Sequence, residues 1–333
     1  MSLLFLPTVL ILGLMSREAT LPVHCVGTLG GRAVPVDFVG ERLFARWQLT
    51  RGGILRFNLD TGGGANMLYG GAAQRFGFVL DTSITGSDTT TTVKIPRSLG
   101  TPLFPSIPAD DSTMLTLFVP PLSPNSENEA GLRVDGFLGR LWFADRVWTL
   151  DYPGRQLRYH GTAPAGPKQA ACWVALGFQV DSTGRRTTQF PRVTARIDGD
   201  SLDFLFDTGA MTTLTDSAWA AIAPREPQDR ATSFITHERF EQWHARHTDW
   251  LVVTNAEKGT GANMIRVPEV DVGGERIGPV WFTERPDQAF HQFMSQWMDR
   301  RVDGALGGSA WRYLTVILDY PRARAAFLRA GTK

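Results

Sequence analysis

Phe57-Asn58-Leu59-Asp60-Thr61-Gly62 recurs as Phe204-Leu205-Phe206-Asp207-Thr208-Gly209, 147 positions further along the chain. Asp135-Gly136-Phe137-Leu138-Gly139 recurs as Asp303-Gly304-Ala305-Leu306-Gly307, at an offset of 168. The same offset carries Leu150-Asp151-Tyr152-Pro153 onto Leu318-Asp319-Tyr320-Pro321. One Asp-Thr-Gly in a Gly-rich chain is within reach of chance; three motifs repeated in one order are a duplication. The second copy is longer by 21 residues between its first and second motifs.

Each copy follows the same local grammar. Apolar, β-favouring residues lead into Asp-Thr-Gly (ILRFNL before Asp60, LDFLF before Asp207), which predicts a buried strand ending at the aspartate. The glycine behind it allows a tight turn. Short helices are expected around Gly71–Phe76 and Ser217–Ala223, the latter capped by Asp216 or Ser217. Two strands joined by a turn follow each second motif: Arg146–Leu150 with Leu157–His160, and Leu314–Leu318 with Ala325–Leu328. The chain therefore reads as mostly β with a few short helices. Small, turn-prone residues at 161–167 mark the boundary between the copies. This gives a lobe over 21–160, a linker over 161–170 and a second lobe over 171–333. Asp81–Thr92 and Pro120–Asn128 read as surface loops. Glu238–Trp250 and Asp287–Arg301 have helix-compatible spacing, and one of them is expected to hold the extra 21 residues.

Composition narrows the function classes. The 333 residues carry 34 basic and 33 acidic side chains, so no field steers a polyanion and no basic run marks a nucleic-acid partner. An apolar fraction of 43% excludes wholesale disorder, and 2 cysteines exclude a disulfide scaffold or a Cys₄ zinc site. Leu3 to Met15 is almost wholly apolar, too short for a bilayer-spanning helix but long enough for the core of an export signal. Residues 1–20 are accordingly read as a signal peptide of an exported, periplasmic or secreted, protein. The alternative is a buried amino-terminal strand. No other segment approaches a membrane span.

Two equivalent Asp-Thr-Gly turns at the tips of buried strands place two carboxylates face to face. Carboxylates a few Å apart cannot both ionise cheaply, so they share one proton, and one becomes general base while the other is general acid. A water between them then attacks a peptide carbonyl without a metal or a covalent intermediate. At these motifs the sequence resembles the aspartic proteases of the pepsin and retropepsin type, most nearly a bilobal, single-chain, bacterial member. The likeness runs from about residue 30 to residue 330 in motif order and is specific only at the motifs. It implies two homologous pepsin-like β lobes related by a pseudo-twofold axis. It implies Asp60 and Asp207 as the catalytic pair, braced by Thr61 and Thr208, with Gly62 and Gly209 allowing close backbone approach. Leu138-Gly139 and Leu306-Gly307 are expected to thread behind the two loops. The implied substrate is an extended peptide or unfolded protein, with no cofactor and no metal. Both half-sites lie in one chain, so a monomer suffices.

Three departures from that pattern stand out. Pepsins place Ser or Thr after each Asp-Thr-Gly, whereas this chain has Gly63 and Ala210; retropepsins, with Ala, are nearer. A flap can be drawn from Thr89–Leu103, but Tyr69 is the one tyrosine between Asp60 and Asp135 and stands too close to Asp60 to be a flap residue. Gly62-Gly63-Gly64 is unusually flexible for a site of fixed geometry. Cys25 and Cys172 are also 147 apart, so they occupy equivalent positions; they form either an interlobe disulfide or two buried thiols. His237, His244 and His247 read as a solvated helix face rather than a metal site. The competing function is a catalytically silent or weak pepsin-like module that binds peptide or protein.

Overall fold

The computed structural model describes residues 30–85, 87–101, 104–108, 113–121, 127–129, 131–163 and 165–329. Residues 1–20, Cys25 and most of the expected loop over 120–128 lie outside these. Three large sheets organise the chain. An eight-stranded sheet is built from residues 36–118 and Gly136–Leu138, and a nine-stranded sheet from residues 192–285 and Gly304–Leu306. Between them runs a six-stranded sheet to which both halves contribute, in the order Arg32–Val34, Gln156–Tyr159, Val147–Asp151, Leu314–Asp319, Arg324–Arg329, Val174–Ala175.

The twofold relation is visible in the register of that shared sheet. Val147–Asp151 pairs antiparallel with Leu314–Asp319, and Thr149 stands opposite Ile317, its own equivalent at the 168-residue offset. The strand pair predicted after each second motif is present in both copies. Buried side chains on this sheet (Trp148, Leu150, Val316, Leu318) join the main hydrophobic core, which tethers the two halves to a common floor.

Each Asp-Thr-Gly strand forms where the sequence places it, as Ile54–Leu59 and Asp200–Phe206. Their apolar residues Leu55, Phe57, Leu59, Phe204 and Phe206 are fully buried, which drives the strands into the core up to the aspartate. A short helix follows each second motif, Arg140–Phe143 and Gly308–Trp311. Each ends in a buried tryptophan region: Trp142 packs on Trp148 and Phe104, and Trp311 stacks on Phe206 at 4.3 Å.

Local expectations hold with three corrections. The helices Gly70–Phe76 and Asp216–Ile222 are present, but the second is capped by Thr215, whose hydroxyl accepts the Ala218 amide. Asp216 is instead the first helical residue. The segment Asp81–Thr92 is not a loop: Leu80–Thr85 and Asp88–Pro96 form an antiparallel hairpin at the edge of the eight-stranded sheet. Its threonines are polar, which suggests a loop, yet their β-branched side chains favour extended backbone, and the hairpin leaves most of them exposed. The flap segment Thr89–Leu103 accordingly shifts: strand ends at Pro96 and a 3₁₀ turn occupies Arg97–Leu99. Both segments considered for the extra residues are helical, as the α-helix His237–Arg246 and a π-helical turn Ala289–Met294.

Candidate active site

The two Asp-Thr-Gly turns meet between the sheets. The Thr61 amide donates to Thr208 Oγ1 (3.1 Å) and the Thr208 amide to Thr61 Oγ1 (3.0 Å). Each hydroxyl then donates across the axis to a strand carbonyl, Thr61 Oγ1 to Phe206 O (2.7 Å) and Thr208 Oγ1 to Leu59 O (2.8 Å). Four buried hydrogen bonds therefore link the two copies reciprocally, and both threonines are fully buried.

The aspartates follow from that brace. The two carboxyl groups are near enough to shift one another's ionisation. A methyl group on Gly62 would lie 2.7 Å from Asp207 Cγ, and one on Gly209 would lie 2.2 Å from Asp60 Cγ. No real side chain approaches so closely, so each turn's glycine is what lets the opposite carboxylate in. Behind the turns, Gly136–Leu138 runs parallel to Phe57–Leu59, and Gly304–Leu306 parallel to Phe204–Phe206. The Asp60 amide donates to Leu138 O (3.0 Å) and the Asp207 amide to Leu306 O (2.9 Å). Gly139 and Gly307 have no room for a side chain: a methyl would meet Ala65 O at 2.4 Å and Thr232 O at 2.0 Å respectively. Their amides are held by Asn66 Oδ1 (2.8 Å) and Ser233 Oγ (3.1 Å).

With this geometry established, comparison with known proteins is informative. No family model matches the sequence, and no curated protein matches it. Among solved structures, the crystal structure of aspartic proteinase from Irpex lacteus matches 91% of this chain and 98% of its own, with a TM-score of 0.51 at 10% identity. The fold is pepsin-like. At that identity the likeness is one of fold, and the pepsin-like fold accounts for the two lobes, the shared sheet and the paired turns.

Within the pepsin-like frame the two aspartates are electrostatically unequal. Burial pushes both carboxyls up. For Asp60 the rise is offset by the hydrogen bond to Asp207, the amides of Gly62 and Gly63, and the cation Arg42. For Asp207 burial is reinforced by the facing Asp60, and its pKa stands well above the ordinary carboxylate range despite the Gly209 amide at 2.8 Å from Oδ1. Asp207 is therefore the carboxyl pushed up further, while more of the groups around Asp60 favour its charged form. Arg42, 1% exposed, adds to that difference, and nothing in the sequence distinguishes it from a surface arginine on a strand.

The missing hydroxyls have a structural correlate. Asp60 Oδ1 is buried and, among the described residues, receives no hydrogen bond from a hydroxyl or amide. Gly63 cannot become serine freely, because a methyl there would meet Asp60 Oδ2 and Phe137 Cε2, both at 2.9 Å. The triglycine is also less free than its composition suggests. Arg140 donates through its backbone amide to Gly63 O (3.0 Å), and its guanidinium reaches the carbonyls of Gly63 and Gly64. The same guanidinium stacks on Phe190 of the other copy, 4.3 Å from the ring centre. The signal for this residue was present but silent: Arg140 occupies the position that Gly308 holds in the second copy.

Other candidate residues separate from the site. Cys172 is buried and disulfide-bonded, while Cys25 lies outside the described residues. Tyr69 packs with Phe44 and Val134 in a small cluster, not over the aspartates. The three histidines diverge: His247 pairs with Asp198 at 2.8 Å and stacks on Trp250, His244 sits beside Phe240, and His237 contacts Glu284. Among the described residues, no helix is long and apolar enough to cross a membrane.

Proposed function

We propose that this protein is an aspartic-type endopeptidase that hydrolyses peptide bonds between its two lobes. The observation that carries the reading is the reciprocal threonine brace, which holds the two Asp-Thr-Gly turns against each other, while burial raises both carboxyls, Asp207 the further. In this reading Asp60 takes a proton from water as that water attacks the scissile carbonyl. Asp207 gives its proton to the carbonyl oxygen, producing a gem-diol. Collapse then returns the diol proton to Asp207, while Asp60 delivers its proton to the leaving nitrogen. Thr61, Thr208, Gly62, Gly209, Leu138, Gly139, Leu306 and Gly307 position the pair without touching substrate.

The substrate is an extended peptide or unfolded protein, taken by a monomer whose lobes divide at 161–170. Export is part of the same proposal; the disulfide at Cys172 supports it, since such bonds persist in oxidising compartments. A second reading, a silent peptide-binding module, draws on the undonated Asp60 Oδ1. Incubation with an unfolded protein at about pH 4 to 6, with and without pepstatin, separates the two. Cleavage that pepstatin blocks supports the peptidase. Saturable peptide binding without any cleavage across that range selects the module.

A further inference from the structure

A second cluster of chemically capable side chains lies on the carboxy-terminal half, apart from the aspartates. His237 opens the helix His237–Arg246, and Glu241 stands four residues later, one turn along the same face. Glu284 belongs to the strand Val280–Arg285, which pairs in parallel with Ser233–Thr236, the strand that runs directly into that helix. Sheet and helix thus fix all three backbones. A ring nitrogen of His237, an oxygen of Glu241 and an oxygen of Glu284 lie within 4.8 Å of one another.

The carboxylates around His237 outnumber the one ion pair that it makes with Glu284. Glu284 Oε1 contacts His237 Nδ1, and Oε2 accepts from Asn263 Nδ2 at 2.8 Å. An outer hydrogen bond of this kind orients metal-ligating carboxylates. No arginine or lysine pairs with Glu284 among the described residues, because the adjacent Arg285 is committed to Glu257 through two bonds of 2.8 Å. Asp287 adds a third carboxylate at the start of the same helix, accepting the Glu238 amide at 2.9 Å. Beside the cluster is a cavity of about 520 Å³ lined by His237, Thr260, Glu284 and Asp287, which has room for water on an ion.

We propose that His237, Glu241 and Glu284 bind one divalent transition-metal ion of the zinc(II) class. One imidazole nitrogen and two carboxylate oxygens, completed by water, are a donor set that suits tetrahedral zinc. Ligand distances of ~2.0–2.2 Å put tetrahedral donors roughly 3.4 Å apart. Glu241 is exposed, so its side chain is free to adjust its oxygen to that spacing. The bound ion ties the first turn of the helix to the neighbouring strand. His244 and His247 take no part, and the site is independent of the peptidase reading.

The full chain, freed of metal by a chelator, is titrated calorimetrically with zinc chloride and, separately, cobalt(II) and calcium chloride. The expected result is one zinc per chain, a raised unfolding temperature, and visible absorbance of four-coordinate cobalt(II). His237→Ala and Glu241→Gln each weaken zinc at least tenfold, and Asn263→Ala weakens it by roughly tenfold. His237 is 56% exposed, so its loss leaves the chain folded, which circular dichroism checks. Glu241→Gln is the decisive variant, since it leaves the His237–Glu284 pair intact. Full zinc affinity in that variant overturns the site, as does unchanged binding in His237→Ala. Absence of saturable zinc binding below about 1 mM, or calcium binding as tight as zinc, overturns it equally.

Discussion

Replacing Thr208 with valine removes one hydroxyl and little volume, so the consequence can be worked out from its two bonds. That hydroxyl accepts the Thr61 amide and donates to the Leu59 carbonyl. Both partners belong to fully buried residues, out of reach of bulk solvent. Orphaning a buried polar group costs about 1–3 kcal/mol, so the pair is worth about 2–6 kcal/mol. Thr208→Ser keeps both bonds and loses one buried methyl, about 1 kcal/mol. For a chain of this length one kcal/mol corresponds to roughly 1–2 °C of unfolding temperature. Valine should therefore lower the midpoint by roughly 3–10 °C and serine by only ~1–2 °C. Turnover should part in the same way. A displacement of ~1 Å between the aspartates costs about a hundredfold in rate, which valine suffers and serine escapes. The assay is thermal unfolding followed by circular dichroism, beside cleavage of an unfolded protein. A valine variant as stable and as active as the serine variant would show that the brace has no energetic content.

Three further outcomes are expected. Arg140→Ala should lower kcat by at least tenfold with KM little changed, because it releases the Gly63 and Gly64 carbonyls; Arg140→Lys, lacking the planar fork, should restore only part of the loss. Ala210→Ser supplies a hydroxyl beside Asp207, and by donating to the charged form it should shift the pH–rate profile to lower pH; an unmoved or upward-shifted profile would refute the role assigned to the missing hydroxyls. Asp207 has a folded pKa above its unfolded value, so the native state binds its proton more tightly. Its contribution to stability is complete below the unfolded pKa, about 4, and is lost as pH rises through the raised folded value. Asp207→Asn should flatten this decline, making the variant more stable than the parent near neutral pH, as denaturant titrations at several pH values would report.

What the sequence made legible was whatever the duplication repeats. The strands entering Asp60 and Asp207, the parallel strands behind them and the paired hairpins of the shared sheet all carry apolar patterns that recur at fixed offsets. What it concealed was asymmetric or distant. The hairpin Leu80–Pro96 is rich in threonine, and polarity outweighed β-branching in reading it as a loop. Thr215 caps its helix in place of Asp216 or Ser217, a difference of one or two positions within a polar run. Arg42 and Arg140 act on the aspartates only because folding brings a buried guanidinium near one carboxylate and a stacked one under the triglycine. Gly63 reads as flexibility in the sequence; in the structure its lack of a side chain makes space for the Phe137 ring. Glu284 reaches His237 from 47 positions away, a juxtaposition that no local spacing announces.

The central claim is that Asp60 and Asp207 share one proton and act as a unit. Its most direct test is peptide cleavage by Asp60→Asn, Asp207→Asn and the double variant, each first shown to be folded. Asparagine preserves volume and hydrogen bonding, so the account predicts that each single change abolishes nearly all turnover and that the double variant is hardly worse than either. Turnover retained by either folded single variant, or losses that multiply in the double one, would contradict it.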